Sequence, residues 1–244
     1  TNFNTEIPVQ RNYLTTVIGN VLTTATEINV TIDDNFKTPE LKKDVVFVGT
    51  RDALQQALDN CAVGTTTILF DNDIVGNVTV DQKEGVNIVI SGNNYQYDGT
   101  ITINGNARHD GDETLTIENI NFFSERDAVY FIEQNGTASA VRYAHNVTIK
   151  NCSFNGVGNT SVGMRFRQCY NIVVENCVAN GTTRSFGSGL HSLAQLYGCT
   201  NVSFDGISVN AKNGISVGTS IGCEIKNATI FAAGYGVRAD ATVA

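Results

Sequence analysis

The segment NVTIKNCSF, starting at Asn146, returns as NIVVENCVA at Asn171 and as NVSFDGISV at Asn201. Looser copies begin at Val86 (VNIVISGNN), Thr114 (TLTIENINF) and Gly222 (GCEIKNATI), so successive starts differ by 28, 32, 25, 30 and 21 residues. A period near 20–30 residues with insertions in some copies predicts a solenoid, because one such unit cannot bury its apolar face alone and must stack on its neighbours. Within the copies apolar residues alternate, as at Val147 and Ile149, Ile172 and Val174, or Val202 and Phe204. That period of two describes a strand with one buried face and excludes a helical repeat. Composition agrees, since 28 Asn and 23 Gly against 2 Pro and no Trp suit short strands joined by tight turns. The 244 residues, 41% hydrophobic, can bury a substantial core.

Each copy ends on a small or amide residue, Gly92, Asn119, Asn151, Asn176, Gly206 or Asn227, types that tolerate left-handed backbone angles. With turns of the solenoid about 4.8 Å apart, Asn119, Asn151 and Asn176 are expected to stack and hydrogen-bond along an internal file, as scaffold. The preceding residues, Glu118, Lys150, Glu175, Asp205 and Lys226, alternate in sign at three of four steps, which favours cross-strand pairing. Glu175 above Asp205 is the exception. Two carboxylates about 5 Å apart match a retaining glycosidase, but lysines on either side would keep both ionised and leave no good acid, so catalysis by this pair is not expected. The six cysteines lack C-x-x-C spacing. Cys152 and Cys177 share one repeat position, Cys169 and Cys199 another, which reads as small apolar core residues stacked within reach of each other, so their redox state stays open.

Ahead of the repeat, Thr50 is placed to cap a helix whose stripe is Ala53, Leu54, Ala57, Leu58 and Cys61, ended by Gly64. Such a helix, followed by TTTILF and NVTV, would plug the open end of a solenoid. On the GTRDALQQAL cap, the TTTILFDND strand and the asparagine positions, residues 45–244 resemble the right-handed parallel β-helix, or pectate-lyase-like, superfamily. The resemblance implies an all-β, right-handed parallel β-helix solenoid with an amphipathic N-terminal capping helix. It does not select a function, since that fold carries lyases, hydrolases, epimerases, tail spikes and adhesin shafts. Residues 1–40 read as strands around Gly19-Asn20 or a later turn, and VQRNY with GNVLT resembles the closing segment of fimbrillin-like surface proteins of Gram-negative gut anaerobes. The expected organisation is therefore residues 1–40 as a β-strand segment, ending a β-sandwich or packing on the solenoid, 41–64 as linker and cap, and 65–244 as the β-helix. The fimbrillin resemblance implies a cell-surface, secreted or periplasmic protein, with residues 1–40 joining a fimbrial or surface assembly partner. The opening TNFNTEIPVQ reads as the start of a mature product or an excised piece.

Residues 1–139 hold 20 acidic and 8 basic side chains and residues 140–244 hold 4 and 8, so the second part is the one that would attract an anion. No Lys or Arg run points to nucleic acid, and no apolar stretch approaches the ~20 residues of a membrane span. In the superfamily the substrate lies on one outward sheet face. Using Cys169 and Cys199 as register marks, VGMRFRQC and SLAQLYGC send Arg165, Arg167, Gln195 and Tyr197 outward. Arg142 is expected beside them on one flank and Ser216, Gly218 and Arg238 on the other, with SAVRYAH competing with AVYFIEQ for the preceding strand. Arg184, Phe186 and His191 border the face from the loop NGTTRSFGSGLHS. Guanidinium groups bind carboxylates or sulfates and a tyrosine ring stacks on a sugar, so the expected partner is an acidic polysaccharide.

No acidic residue is assigned to this face, so a calcium-dependent lyase site is not supported, and over residues 65–244 the NTD, DD, GHG and RIK motifs of polygalacturonases do not appear. The expected cofactor and metal set is none. HDGDE at His109 reads as a solvated acidic turn. Three functions stand: a non-catalytic surface protein binding or adhering to an acidic glycan; a polysaccharide lyase or hydrolase with Arg167, His191 and Tyr197 in catalytic roles, His145 being the poorer choice; and a structural piece of a fimbrial assembly.

Overall fold

The computed structural model describes residues 44–106, 111–126, 129–134, 143–156, 161–181 and 190–240. The strands expected over residues 1–40, together with His109, Arg142, Arg184 and Phe186, lie outside the described residues.

Three parallel sheets run the length of the solenoid. The first holds Asp44–Val48, Gly64–Phe70, Val86–Ser91, Leu115–Glu118, His145–Lys150, Tyr170–Glu175, Thr200–Asp205 and Ile221–Lys226. The second holds Ile74–Val75, Gln96–Asp98, Asn121–Ser124, Ser153–Gly156, Val178–Gly181, Ser208–Ala211 and Thr229–Ala232. The third holds Val78–Asp81, Ile101–Asn104, Tyr130–Gln134, Val162–Arg167, Ser192–Tyr197, Asn213–Gly218 and Val237–Asp240. The chain visits the three in turn, and each strand pairs in parallel with the one a full turn later. Parallel strands joined by such crossovers wind right-handedly. The described residues form a right-handed parallel β-helix.

The repeat predicts the first-sheet register correctly: Ile88, Leu115, Val147, Ile172, Val202 and Cys223 form one inward file. Apolar alternation fills the interior, where the Phe122 and Phe154 rings stack 5.0 Å apart at 2° and Phe131 and Tyr97 pack against Phe122. Cys152, Cys169, Cys177 and Cys199 are buried free thiols that donate to backbone carbonyls, as Cys152 Sγ does to Lys150 O at 3.3 Å. A hydrogen bond to Cys177, with burial, pushes the Cys152 thiol well above the ordinary range. Burial, with the bond to Cys199, does the same to Cys169.

The asparagine file needs correction. Asn119, Asn151, Asn176 and Asn227 do sit in the left-handed region, at φ 54°, 53°, 50° and 47°, but at a solvent-facing corner rather than inside. Their backbone N–H groups carry the stacking, as Asn151 N donates to Glu175 O at 3.0 Å and Asn176 N to Asp205 O at 2.9 Å. Gly92 departs from them: the positive angles fall on Asn93 and Asn94, and Gly92 is needed because a Cβ there would come within 2.5 Å of Ile120. The side-chain ladder lies elsewhere, at Asn146, Asn171 and Asn201, the first letters of the repeated phrase. Asn171 Nδ2 donates to Asn146 Oδ1 at 3.1 Å and Asn201 Nδ2 to Asn171 Oδ1 at 3.2 Å, with all three at φ 50–57°. A third left-handed corner, Gln168, Gly198 and Thr219, returns the chain from the third sheet to the first.

Helix α1 (Arg51–Asp59) caps the first turn as expected, with Thr50 Oγ1 accepting from Ala53 N at 3.2 Å and Leu54 and Leu58 buried. Gln55 completes the cap. Its amide accepts from Thr79 N at 2.8 Å and donates to Thr79 O at 2.9 Å, occupying groups that a neighbouring strand would otherwise bond.

Candidate functional site

The outward face of the third sheet carries two files. In the first, Thr102, Glu133, Arg165, Gln195, Ser216 and Arg238 follow one another in register. In the second, Arg167, Tyr197, Gly218 and Asp240 do so. The sequence therefore places Arg165, Arg167, Gln195 and Tyr197 correctly, along with Ser216, Gly218 and Arg238.

The electrostatics differ from expectation. Tyr130–Gln134 supplies the strand preceding Val162–Arg167, so the position beside Arg165 is Glu133. The Arg165 Nη2 group meets Glu133 Oε2 at 3.3 Å, and its guanidinium carbon lies 3.8 Å from the Tyr130 ring centroid. The face thus holds an acidic residue after all, and Arg165 is a paired, half-buried group. Its Nε is buried without a hydrogen-bond partner among the described residues, a sign of a side chain held by packing on the ring. Arg238 is likewise matched, by Asp240 at 2.9 Å. Arg167 is exposed, its backbone N–H donating to Gln134 Oε1 at 3.2 Å.

Tyr197 is the exposed ring of the face, at 58% of its surface. It leans over Gly218 of the next turn, where a Cβ would lie 3.2 Å from Tyr197 Cδ2, so a side chain at 218 would crowd the ring. Arg167 stands beside it one turn earlier. Gln195 and Ser216, in the adjacent file, offer amide and hydroxyl groups. A flat ring beside a guanidinium and two neutral polar groups is a surface on which a sugar can stack and hydrogen-bond.

His191 does not join them. It precedes the strand Ser192–Tyr197, and six residues of extended chain separate it from Tyr197 by about 20 Å. Its Nε2 lies 3.3 Å from Asn213 Nδ2 and its Nδ1 3.4 Å from Ser192 Oγ. Burial, and then the nearby Lys212 charge, hold its pKa below the ordinary histidine value. A catalytic trio of Arg167, His191 and Tyr197 is ruled out by that separation.

His145 is buried rather than accessible: its Nε2 lies 3.1 Å from Glu113 Oε1, with both side chains 1% exposed. The Gln82 amide clamps the His145 backbone, donating to its O at 2.6 Å and accepting from its N at 3.1 Å. Glu113, read as part of a solvated turn, is instead an internal partner also bonded by Asn106 Nδ2 at 3.0 Å. Among the described residues no three His, Cys, Asp or Glu side chains are placed to hold a metal ion, and no helix is long and apolar enough to cross a membrane. Glu175 and Asp205 are register neighbours as predicted, and Asp205 Oδ1 accepts from Asn227 Nδ2 at 2.7 Å.

Residues 1–61 match a family of unknown function (DUF6562), a quarter of the chain that runs through α1. No curated protein matches the sequence. Among solved structures, the chain is similar to a "putative glycosyl hydrolase" from Parabacteroides merdae ATCC 43184, at 16% identity and a TM-score of 0.45, over 72% of this chain and 86% of that one. At that distance no functional conclusion follows.

Proposed function

We propose that the chain is a non-catalytic, cell-surface or secreted glycan-binding β-helix, whose third-sheet face holds a polysaccharide with Tyr197 as the stacking platform and Arg167 as the anion contact. The observation that carries this reading is the exposed Tyr197 ring over Gly218, with Arg167 in register beside it. Because Glu133 and Asp240 neutralise Arg165 and Arg238, the ligand class is a glycan with isolated carboxylate or sulfate groups rather than a densely charged one. In the same reading residues 1–40 form a separate segment that joins a surface assembly.

Glycan-array screening followed by calorimetry tests it. Binding of a uronic-acid or sulfated glycan is expected, with Tyr197→Ala abolishing it and Arg167→Gln weakening charged glycans more than neutral ones. Absence of binding, or indifference to Tyr197→Ala, overturns the proposal. Unsaturated or new reducing-end product would favour the lyase or hydrolase reading instead.

A further inference from the structure

We propose that Cys152 with Cys177, and Cys169 with Cys199, are cross-linking sites, each pair closing a disulfide between successive turns of the solenoid when the chain folds in an oxidising compartment. The strand register sets the geometry. Ser153 pairs with Val178 and Tyr170 with Thr200, so the cysteine just before each of these residues lies against its counterpart on the next turn. Neighbouring parallel strands stand about 4.8 Å apart, inside the roughly 4.4–6.8 Å that separates the Cα atoms of a disulfide. Side-chain hydrogen bonds already join the two thiols of each pair.

These cysteines come in twos. By the same registers Cys152 is preceded in its file by Ile120 and Cys177 is followed by Ile207, while Cys169 is preceded by Ala144 and Cys199 is followed by Ser220. Apolar filling alone would be served by a single cysteine, or by a longer run, as well as by a pair. A bridge needs two. Cys61 follows α1 and Cys223 lies against Val202, so neither is stacked on another cysteine.

Each pair also holds one thiol that ionises more readily than usual, since the bond from Cys169 lowers the pKa of Cys199 and the bond from Cys152 lowers that of Cys177. Such a thiolate attacks the sulfur–sulfur bond of a low-molecular-weight disulfide and expels one small thiol; the partner cysteine, losing its proton, then displaces the second. One S–S bond forms as one breaks, and two electrons pass to the small disulfide. All four side chains are no more than 2% exposed, so the exchange belongs to folding, before the coil closes over them. The bridges orphan no carbonyl among those the thiols touch at Lys150, Glu175 and Tyr197, because these already accept from Asn119 N, Asn151 N and Gln168 N. Cys169 and Cys199 lie two residues beyond Arg167 and Tyr197, so their bridge ties together the two strands that carry that rung.

The oxidising compartment comes from the surface or secreted reading above, and the test imposes it, so a chain without bridges counts against the bridges and not against the location. The full 244-residue chain is produced in a bacterial cytosol and, in parallel, with export to the periplasm. Circular dichroism identifies the folded product, alkylation of the denatured, unreduced chain counts its thiols, and peptide mass mapping locates the bridges. Six thiols are expected from the cytosol and two, Cys61 and Cys223, after export, with peptides joined at Cys152–Cys177 and Cys169–Cys199. In exported Cys199→Ser the first bridge should persist beside three free thiols, Cys61, Cys169 and Cys223. Six thiols in the folded exported chain, bridges between other cysteines, or a chain that folds only in the cytosol overturns the proposal.

Discussion

Asn171 combines two roles that substitution can separate: a left-handed backbone at φ 53° and a rung of the side-chain ladder between Asn146 and Asn201. Glycine keeps the first and loses the second. Alanine loses both, adding about 1–2 kcal/mol of backbone cost to about 1 kcal/mol for each lost hydrogen bond. Denaturant unfolding should therefore rank the wild type above Asn171→Gly and Asn171→Gly above Asn171→Ala. Equal stability of the two variants would remove the backbone argument. The ladder is legible as the first letter of three copies, Asn146, Asn171 and Asn201, whereas the corner five residues later is asparagine in four, Asn119, Asn151, Asn176 and Asn227, and so is the stronger pattern. Nothing near Arg165 announces Glu133, since it lies 32 residues away across an insertion. Glu113 was equally opaque: HDGDE has the composition of a solvated turn, and its burial depends on a histidine in the next turn of the solenoid.

At the scale of elements, the first-sheet strands of the repeat were legible because one face is buried and the period of two survives in every copy, whereas Asp44–Val48, read as linker, was not, since DVVFV shows no alternation. Second-sheet strands as short as Ile74–Val75 leave too few residues for any period to show. Third-sheet strands were legible where cysteines marked the register and ambiguous where they did not, as at Tyr130–Gln134. The capping helix was readable from its N-cap and stripe, but the Gln55 clamp was not, because a polar residue on a helix ordinarily faces water. Removing Leu54, which is fully buried, as Leu54→Ala should cost about 2–5 kcal/mol. Gln55→Ala should act locally: hydrogen exchange at Thr79 should quicken while the amides of Ser192–Tyr197 keep their protection. Uniform acceleration in both strands would mean that the clamp stabilises the whole rod rather than its edge.

At the scale of the whole molecule, three left-handed corners recur at matching positions on neighbouring turns: Asn171 with Asn201, Asn176 with Gly206, and Gly198 with Thr219. Asn171 and Asn201 are thus equivalent points one turn apart, 30 residues along the chain. Excising those 30 residues, so that Tyr170 runs directly into Asn201, is expected to give a folded, shorter rod with an unchanged β-type dichroism spectrum. A collapsed or aggregated product would show that this unit is not autonomous. A solenoid built of such stacked units can gain or lose a whole unit while its neighbours keep their contacts. The exposed Tyr197 ring, carried on one such unit, is then the kind of feature that can be gained, lost or multiplied without redesigning anything on either side of it.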